Sequence, residues 1–240
     1  MTDASPRFES LAVRRTARLA VRGPRSGPVR ELWIVLHGYG QLAAPFLEGL
    51  AAVDDGSRLL VAPEALSRFY EGSVEERVKR QGEQVVGASW MTKEARLDDI
   101  ADNIAYLDAV HGWCRDRLRA TRGGAPPLTV LGFSQGAATA ARWIAAGSAE
   151  VARHLVWGST LPPDADLSPA SPLRRPATFL VIGARDRFAT EKLVAAEHAR
   201  LDAAGFPYRA VRFDGGHRLD DDTLRAIAHL DGDTDATGAL

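Results

Sequence analysis

The sequence predicts an α/β fold with a mainly parallel central sheet and helices on both of its faces. Three observations lead there. From about residue 30 onward, short apolar runs alternate with amphipathic stretches, the rhythm of βα units. Where these runs are longest they are apolar on both faces, as in strands covered from two sides. The run 128–131 leads directly into Gly132-Phe133-Ser134-Gln135-Gly136 and a small-residue helix start, a strand–turn–helix junction.

In chain order, the first element is expected within residues 1–30. Leu11-Ala12-Val13 and Leu19-Ala20-Val21, broken by Arg14-Arg15 and closed by Gly23-Pro24, read as an edge β-hairpin of the same domain. The seven Arg of this stretch, against Asp3 and Glu9, have the flavour of a transit peptide, but the alternation favours the hairpin. Buried strands are predicted at 32–36, 59–62, 128–131, 155–157, 178–182 and 209–213. Helices are predicted near 43–52, 135–146, 190–204 and 223–230. The clearest helix spans 95–120, where Leu97, Ile100, Ile104, Leu107, Val110, Cys114 and Leu118 recur three or four apart. Asp98, Asp102, Arg115 and Arg119 fall on its other side, so it lies on the sheet with one face in water. Residues 67–87 break the rhythm and read either as a lid or binding loop or as a solvated surface excursion. No repeat or composition break divides the chain, so 31–231 is expected to be one domain and 232–240 a flexible tail.

Composition narrows the functional classes. Thirty basic residues against thirty-one acidic ones give a formal charge of −1, and the arginines are scattered, so no nucleic-acid partner is expected. The lone Cys114 permits neither an intrachain disulfide nor a Cys-only metal site, which suits a reducing compartment. No window approaches 18 uninterrupted apolar residues, so stable membrane insertion is not expected and a cytoplasmic protein is.

The chemistry starts at Ser134. Gly-x-Ser-x-Gly arises by chance roughly 0.1 times in a chain of this composition, and less often with a strand before it and a helix after it. A sharp strand-to-helix turn strains the central backbone and lifts the hydroxyl clear of the sheet, above a helix N-terminus that favours a developing anion. The serine needs a base. His217 follows the run 209–213 through Asp214-Gly215-Gly216, at a strand's C-terminal end, where catalytic groups of open α/β sheets gather. His198 and His229 fall inside predicted helices and read as structural. The matching acid is Asp186, after the run 178–182 and 31 residues before His217; Asp214 is its rival. Leu36-His37-Gly38-Tyr39-Gly40 ends the first long strand. With the residue after the nucleophile, it nominates the backbone N–H groups of Tyr39 and Gln135 as oxyanion donors. His37 reads as a brace of that turn. Gly38-x-Gly40-x-x-Ala43 with Glu64 also fits a dinucleotide fingerprint, which would make the chain an oxidoreductase, but that reading leaves Ser134, Asp186 and His217 unexplained. Asp220-Asp221-Asp222 reads as a helix start, and Cys114 with His111 as packing. No metal and no cofactor is implied.

With these loops placed, the chain resembles the α/β-hydrolase superfamily, and within it the phospholipase/carboxylesterase family that includes acyl-protein thioesterases. The resemblance spans about residues 30–230 and rests on Leu36-His-Gly-Tyr-Gly40, Val61-Ala-Pro63, Ala88-Ser-Trp90, Gly132-Phe-Ser-Gln-Gly136, Gly183-Ala-Arg-Asp186 and Gly215-Gly-His217. It implies a serine hydrolase acting on small-molecule carboxylic esters or thioesters. Ser134, Asp186 and His217 would be its triad, and Trp90, Trp157 and Leu161 would lie near the acyl pocket. The loop after His37-Gly38 and the segment 67–87 differ from those of the acyl-protein thioesterases, so the resemblance does not carry protein depalmitoylation. A catalytically silent ligand- or partner-binding member is the alternative.

Overall fold

The structure, a computed structural model, describes residues 7–25, 27–79, 83–119 and 125–230. The expected tail at 232–240 lies outside them. Seven strands form the main sheet: β1 Leu19–Arg22, β2 Glu31–Leu36, β3 Arg58–Pro63, β6 Leu128–Phe133, β7 Arg153–Trp157, β8 Ala177–Gly183 and β9 Arg209–Phe213. Their order is β1-β3-β2-β6-β7-β8-β9, with β1 antiparallel to β3 and every other pairing parallel. The helices are α1 Ala43–Glu48, α2 Val74–Lys79, α3 Arg96–Arg119, α4 Gln135–Ala146, α5 Glu191–Ala203 and α6 Asp221–Ala228.

The period-2 alternation of the strands divides the interior into two layers. Leu32, Ile34 and Leu36 of β2 pack with Leu107 and Val110 of α3, Ala137 and Ala140 of α4 and Leu201 of α5. Trp33 and Val35 point the other way, to Ala43 and Phe46 of α1 and Leu224 and Ile227 of α6. Both faces of the sheet are therefore covered, as the sequence predicts.

Two segments depart from the expectation. Only the second half of the proposed hairpin is a strand. β1 pairs with the free edge of β3, Leu19 opposite Pro63, while Leu11 and Val13 stay exposed. The Arg14-Arg15 break leaves 11–13 too short to compete with an existing sheet edge. Residues 67–87 carry structure of their own: β4 Ser67–Tyr70 pairs antiparallel with β5 Val86–Ser89, with α2 between them in the chain.

One core residue has a predictable cost. His154 in β7 is fully buried, and neither ring nitrogen finds a hydrogen-bond partner among the described residues. Burial pushes its pKa down to about 3. Because the folded value lies below the unfolded one, the unfolded chain takes the proton first. Stability is therefore full above about pH 6.5 and falls as pH drops toward 3, by about 1.4 kcal/mol per unit. His154→Leu is expected to raise stability at pH 7 by about 1–3 kcal/mol, the desolvation penalty of unpaired polar atoms. It should also flatten the loss between pH 6.5 and 4.5 in urea titrations; an unchanged acid slope would contradict this account.

Candidate active site

Four loops meet at the C-terminal ends of the parallel strands. β2 and β6 are neighbours, with Leu36 opposite Gly132, so the His37–Tyr39 loop and Ser134 emerge side by side. Ser134 sits at φ 53°, ψ −116°, a backbone region that costs a non-glycine residue about 1–3 kcal/mol. Its N–H is held by the Trp157 carbonyl at 2.8 Å. The turn is possible because position 136 has no side chain: a Cβ there would stand 2.3 Å from the Leu36 carbonyl oxygen. This close approach also seats the N-terminus of α4 under the loop that follows β2.

The acid and the imidazole come from β8 and β9. Their loops touch backbone to backbone, since a Cβ on Gly183 would stand 2.5 Å from the carbonyl oxygens of Gly215 and Gly216. Arg185 N–H donates to the Gly215 carbonyl at 2.8 Å. In this frame His217 Nδ1 lies 2.7 Å from Asp186 Oδ2, while Asp186 Oδ1 accepts the N–H groups of Phe188 (2.8 Å) and Ala189 (3.0 Å). Burial works to raise the Asp186 pKa, but these three donors outweigh it and hold the carboxyl below its ordinary range. It is thus an anion that orients the imidazole through Nδ1 and leaves Nε2 for a proton acceptor's role. The rival Asp214 is exposed and paired with Arg185.

The imidazole is brought to the serine loop. The ring of Phe133, the residue before Ser134, lies 4.7 Å from the His217 ring, centroid to centroid. Gly158, which follows the Trp157 that holds Ser134, is packed against the same ring.

The two nominated donors stand free. Neither the Tyr39 nor the Gln135 N–H has an acceptor among the described residues, although their neighbours do: Gly38 N–H donates to Gln41 Oε1 (2.7 Å) and Gly40 N–H to the Ala88 carbonyl (2.9 Å). Unpaired N–H groups at a loop and a helix start are ready for an anion. His37 is the brace that the sequence suggests. It is fully buried, its Nδ1 donates to the Gly38 carbonyl (2.8 Å) and its Nε2 accepts the Ala65 N–H (3.1 Å). Burial lowers its pKa, so it is neutral, as that pairing requires.

The Gln135 side chain has a role that the sequence reading missed. Its amide accepts the Trp90 N–H (3.0 Å) and donates to the Met91 carbonyl (2.8 Å) and Ser89 Oγ (3.1 Å). Trp90 Nε1 in turn donates to the His37 carbonyl (2.8 Å). Residues 88–91 thus form a strap that ties the helix carrying one free donor to the loop carrying the other. A Gln inside the elbow together with Ser89-Trp90 was the available signal.

The residues expected near the acyl pocket lie deep. Trp90, Trp157 and Leu161 are each 2% exposed or less; the Trp157 indole donates to the Arg218 carbonyl (2.9 Å) and the Leu161 N–H to Glu197 (2.9 Å). Trp90 and Leu161 pack in the core layer with α3 and α4, and Trp157 in the opposite layer with α1 and α6. The rim is made by Tyr39, stacked on Phe69 of β4 at 5.2 Å, and by Phe188, edge-on to His217 at 4.8 Å.

Several competing readings find other employment for their residues. Glu64, the acid of the dinucleotide fingerprint, is buried, accepts the Ala43 N–H at the start of α1 (3.3 Å) and pairs with Arg68 and Arg18. Asp220 caps α6 through the Thr223 N–H (3.2 Å). Cys114 is buried in the α3 layer, its thiol pushed up to about 12. No helix among the described residues is long and apolar enough to cross a membrane.

No family model matches the chain, and no curated protein matches it in sequence. Among solved structures it is similar to esterase PE8, at 19% identity and TM-score 0.61 over 89% of this chain and 97% of that one. Acyl-protein thioesterase 2 of Zea mays is similar at 18% identity and TM-score 0.62, over 89% and 96% of the two chains. A phospholipase/carboxylesterase of Dyadobacter fermentans is similar at 14% identity and TM-score 0.60, over 90% and 97%. At such identities the likeness is one of architecture, and in strand order, elbow and strand-end loops the chain has the α/β-hydrolase fold.

Proposed function

We propose that the chain is a serine hydrolase of the phospholipase/carboxylesterase type, cleaving small carboxylic esters or thioesters through an acyl-enzyme. The observation that carries this reading is the 2.7 Å contact between His217 Nδ1 and Asp186 Oδ2, beside a serine held at positive φ. Ser134 Oγ attacks the carbonyl carbon while His217 Nε2 takes its proton. The Tyr39 and Gln135 N–H groups receive the oxyanion. The imidazolium then protonates the departing alcohol or thiol, leaving Ser134 acylated. Water repeats the sequence and releases the acid. The esterase and thioesterase names of the structural neighbours agree with this chemistry, and a small ester suits a rim that departs from the thioesterase pattern.

An activity profile over p-nitrophenyl esters from acetate to palmitate, with a thioester included, tests the reading. Fast labelling by a fluorophosphonate is its companion, because only an activated serine reacts quickly. A protein that neither turns over any ester nor labels is the silent alternative.

The strap makes a separate prediction. Gln135→Met keeps the length of the side chain and the backbone donor but removes the amide. It is expected to lower kcat by about 10–10², the scale of a donor displaced by about 1 Å, with KM changed little. An unaltered kcat would mean that residues 88–91 hold the donors without it.

A further inference from the structure

The mouth of the site carries a groove that the hydrolytic chemistry does not use. It is a shallow, open groove of about 580 Å³ lined by Tyr39, Gly40, Gln41, Phe69, Tyr70, Glu71 and Gly72. One wall is the loop that bears the free Tyr39 N–H; the other is the β4–β5 hairpin. The two are pinned together by the Gly40 N–H on the Ala88 carbonyl (2.9 Å), while Glu71 is fixed by its N–H on the Val85 carbonyl (2.9 Å). Whatever fills the groove is therefore in register with the oxyanion site.

Its lining is aromatic and anionic. Tyr39 and Tyr70 are 62% and 53% exposed, so their rings are open to a ligand from solvent. The Glu71 carboxylate has no ion-pair or hydrogen-bond partner among the described residues, and its oxygen overhangs Gly40, 3.2 Å from where a Cβ would stand. Neither Arg68 nor Arg77 forms an ion pair with Glu71. Arg68 pairs with Glu64 at 3.1 Å, and Arg77 lies over the Tyr70 ring at 5.8 Å. That second contact places a cation on an aromatic face of this same lip. Residues 67–87 carry four Glu and four basic residues, so the negative charge at the groove is that of Glu71 itself, the one carboxylate in its lining.

Stacked aromatic faces beside an uncompensated carboxylate attract a weakly hydrated cation, both through the ring quadrupole and by direct charge. A fully hydrated small ion gains less, since it would give up its water. From this juxtaposition we infer that the groove receives the leaving group of the substrate and selects esters whose alcohol carries a quaternary or alkylated ammonium. The inference rests on the hydrolase reading for its location, and it names the substrate class of that site.

The test compares butyrylcholine with 3,3-dimethylbutyl butyrate, which has the same shape with carbon in place of the charged nitrogen. The ratio of their kcat/KM values, choline ester over neutral ester, is the readout, so the intrinsic reactivity of each ester cancels between variants. Glu71→Gln is expected to lower that ratio by about 3–10-fold, and Phe69→Leu by about 2–5-fold. A ratio unchanged in both variants overturns the inference while leaving the hydrolase reading in place. If neither ester is turned over, the groove is judged by binding, while the p-nitrophenyl ester profile and fluorophosphonate labelling judge the hydrolase reading separately. Saturation-transfer NMR should then detect choline on the wild-type protein more strongly than 3,3-dimethylbutan-1-ol, with the difference lost in Glu71→Gln. Equal signals from the two alcohols, or a choline signal indifferent to Glu71→Gln, overturn it.

Discussion

Ser134→Ala is expected to lower kcat for p-nitrophenyl butyrate by on the order of 10⁴-fold or more, with the fold intact. The size follows from the step removed: without Oγ no acyl-enzyme forms, and only binding and the oxyanion donors remain. The fold should survive because Ser134 contributes its strained backbone, kept by alanine, and a bond from its N–H to the Trp157 carbonyl. Circular dichroism and the melting midpoint check that half of the expectation. Asp186→Asn should cost about 10²–10⁴, because an amide at that position no longer fixes the imidazole with its proton on Nδ1. Asp214→Asn should be nearly silent, since an exposed ion pair contributes little. Activity of Ser134→Ala within tenfold of the parent would sink the assignment, and an Asp214 effect larger than that of Asp186 would reassign the acid.

The second large effect lies at the opposite end of the sheet. Arg58 is 1% exposed and donates to Glu31 (2.9 Å), Asp55 (2.6 Å), the Val53 carbonyl (3.1 Å) and the Ala228 carbonyl at the end of α6 (2.8 Å). Arg153 binds the other oxygen of Glu31 and reaches the carbonyls of Ile227 (2.9 Å) and Leu230 (3.2 Å). Burial works to raise the Glu31 pKa, but the Thr129 hydroxyl and the two guanidinium groups outweigh it, so the carboxyl stays charged. Arg58→Met would leave that buried charge short of a partner and two carbonyls without their donor. The expected loss is about 3–5 kcal/mol in urea unfolding at pH 7, near the limit that an ordinary domain survives. The end of α6 should also lose amide-exchange protection ahead of the sheet. A loss below about 1 kcal/mol would show that solvent or neighbouring groups replace the guanidinium.

Much of this architecture was legible in residue order. The central parallel strands are apolar on both faces, and the α3 stripe is buried from Leu107 through Cys114 to Leu118, but its expected start is not: Leu97 is 74% exposed, and Ile100 and Ile104 are half-buried. The site loops were readable because each follows a buried strand and contains a residue type with few other reasons to be there. What escaped depends on tertiary pairing. Leu19–Arg22 chose the edge of β3 over residues 11–13, a competition that local alternation does not encode. The β4–β5 hairpin was hidden because its strands are four residues each, one mostly exposed and the other built mainly of small residues, with α2 interposed. Trp90, Trp157 and Leu161 are all buried, and their division between the two core layers follows from the sheet and not from their neighbours in the chain. The buried Arg58–Glu31 pair, 2.9 Å apart, comes from the register of β2 against β3, which residue order does not reveal.

The two ends of the molecule thus have separate duties. The arginine clamp at the foot of the strands fastens α6, whereas the β4–β5 hairpin stands at the opposite rim, its β5 strand anchored through Ala88 and Ser89 and its connecting helix α2 burying no residue. Such a division leaves the exposed connection between β4 and β5 free to vary as a cassette. A longer, shorter or differently charged connection there changes the rim without renegotiating the stability of the scaffold that carries Ser134.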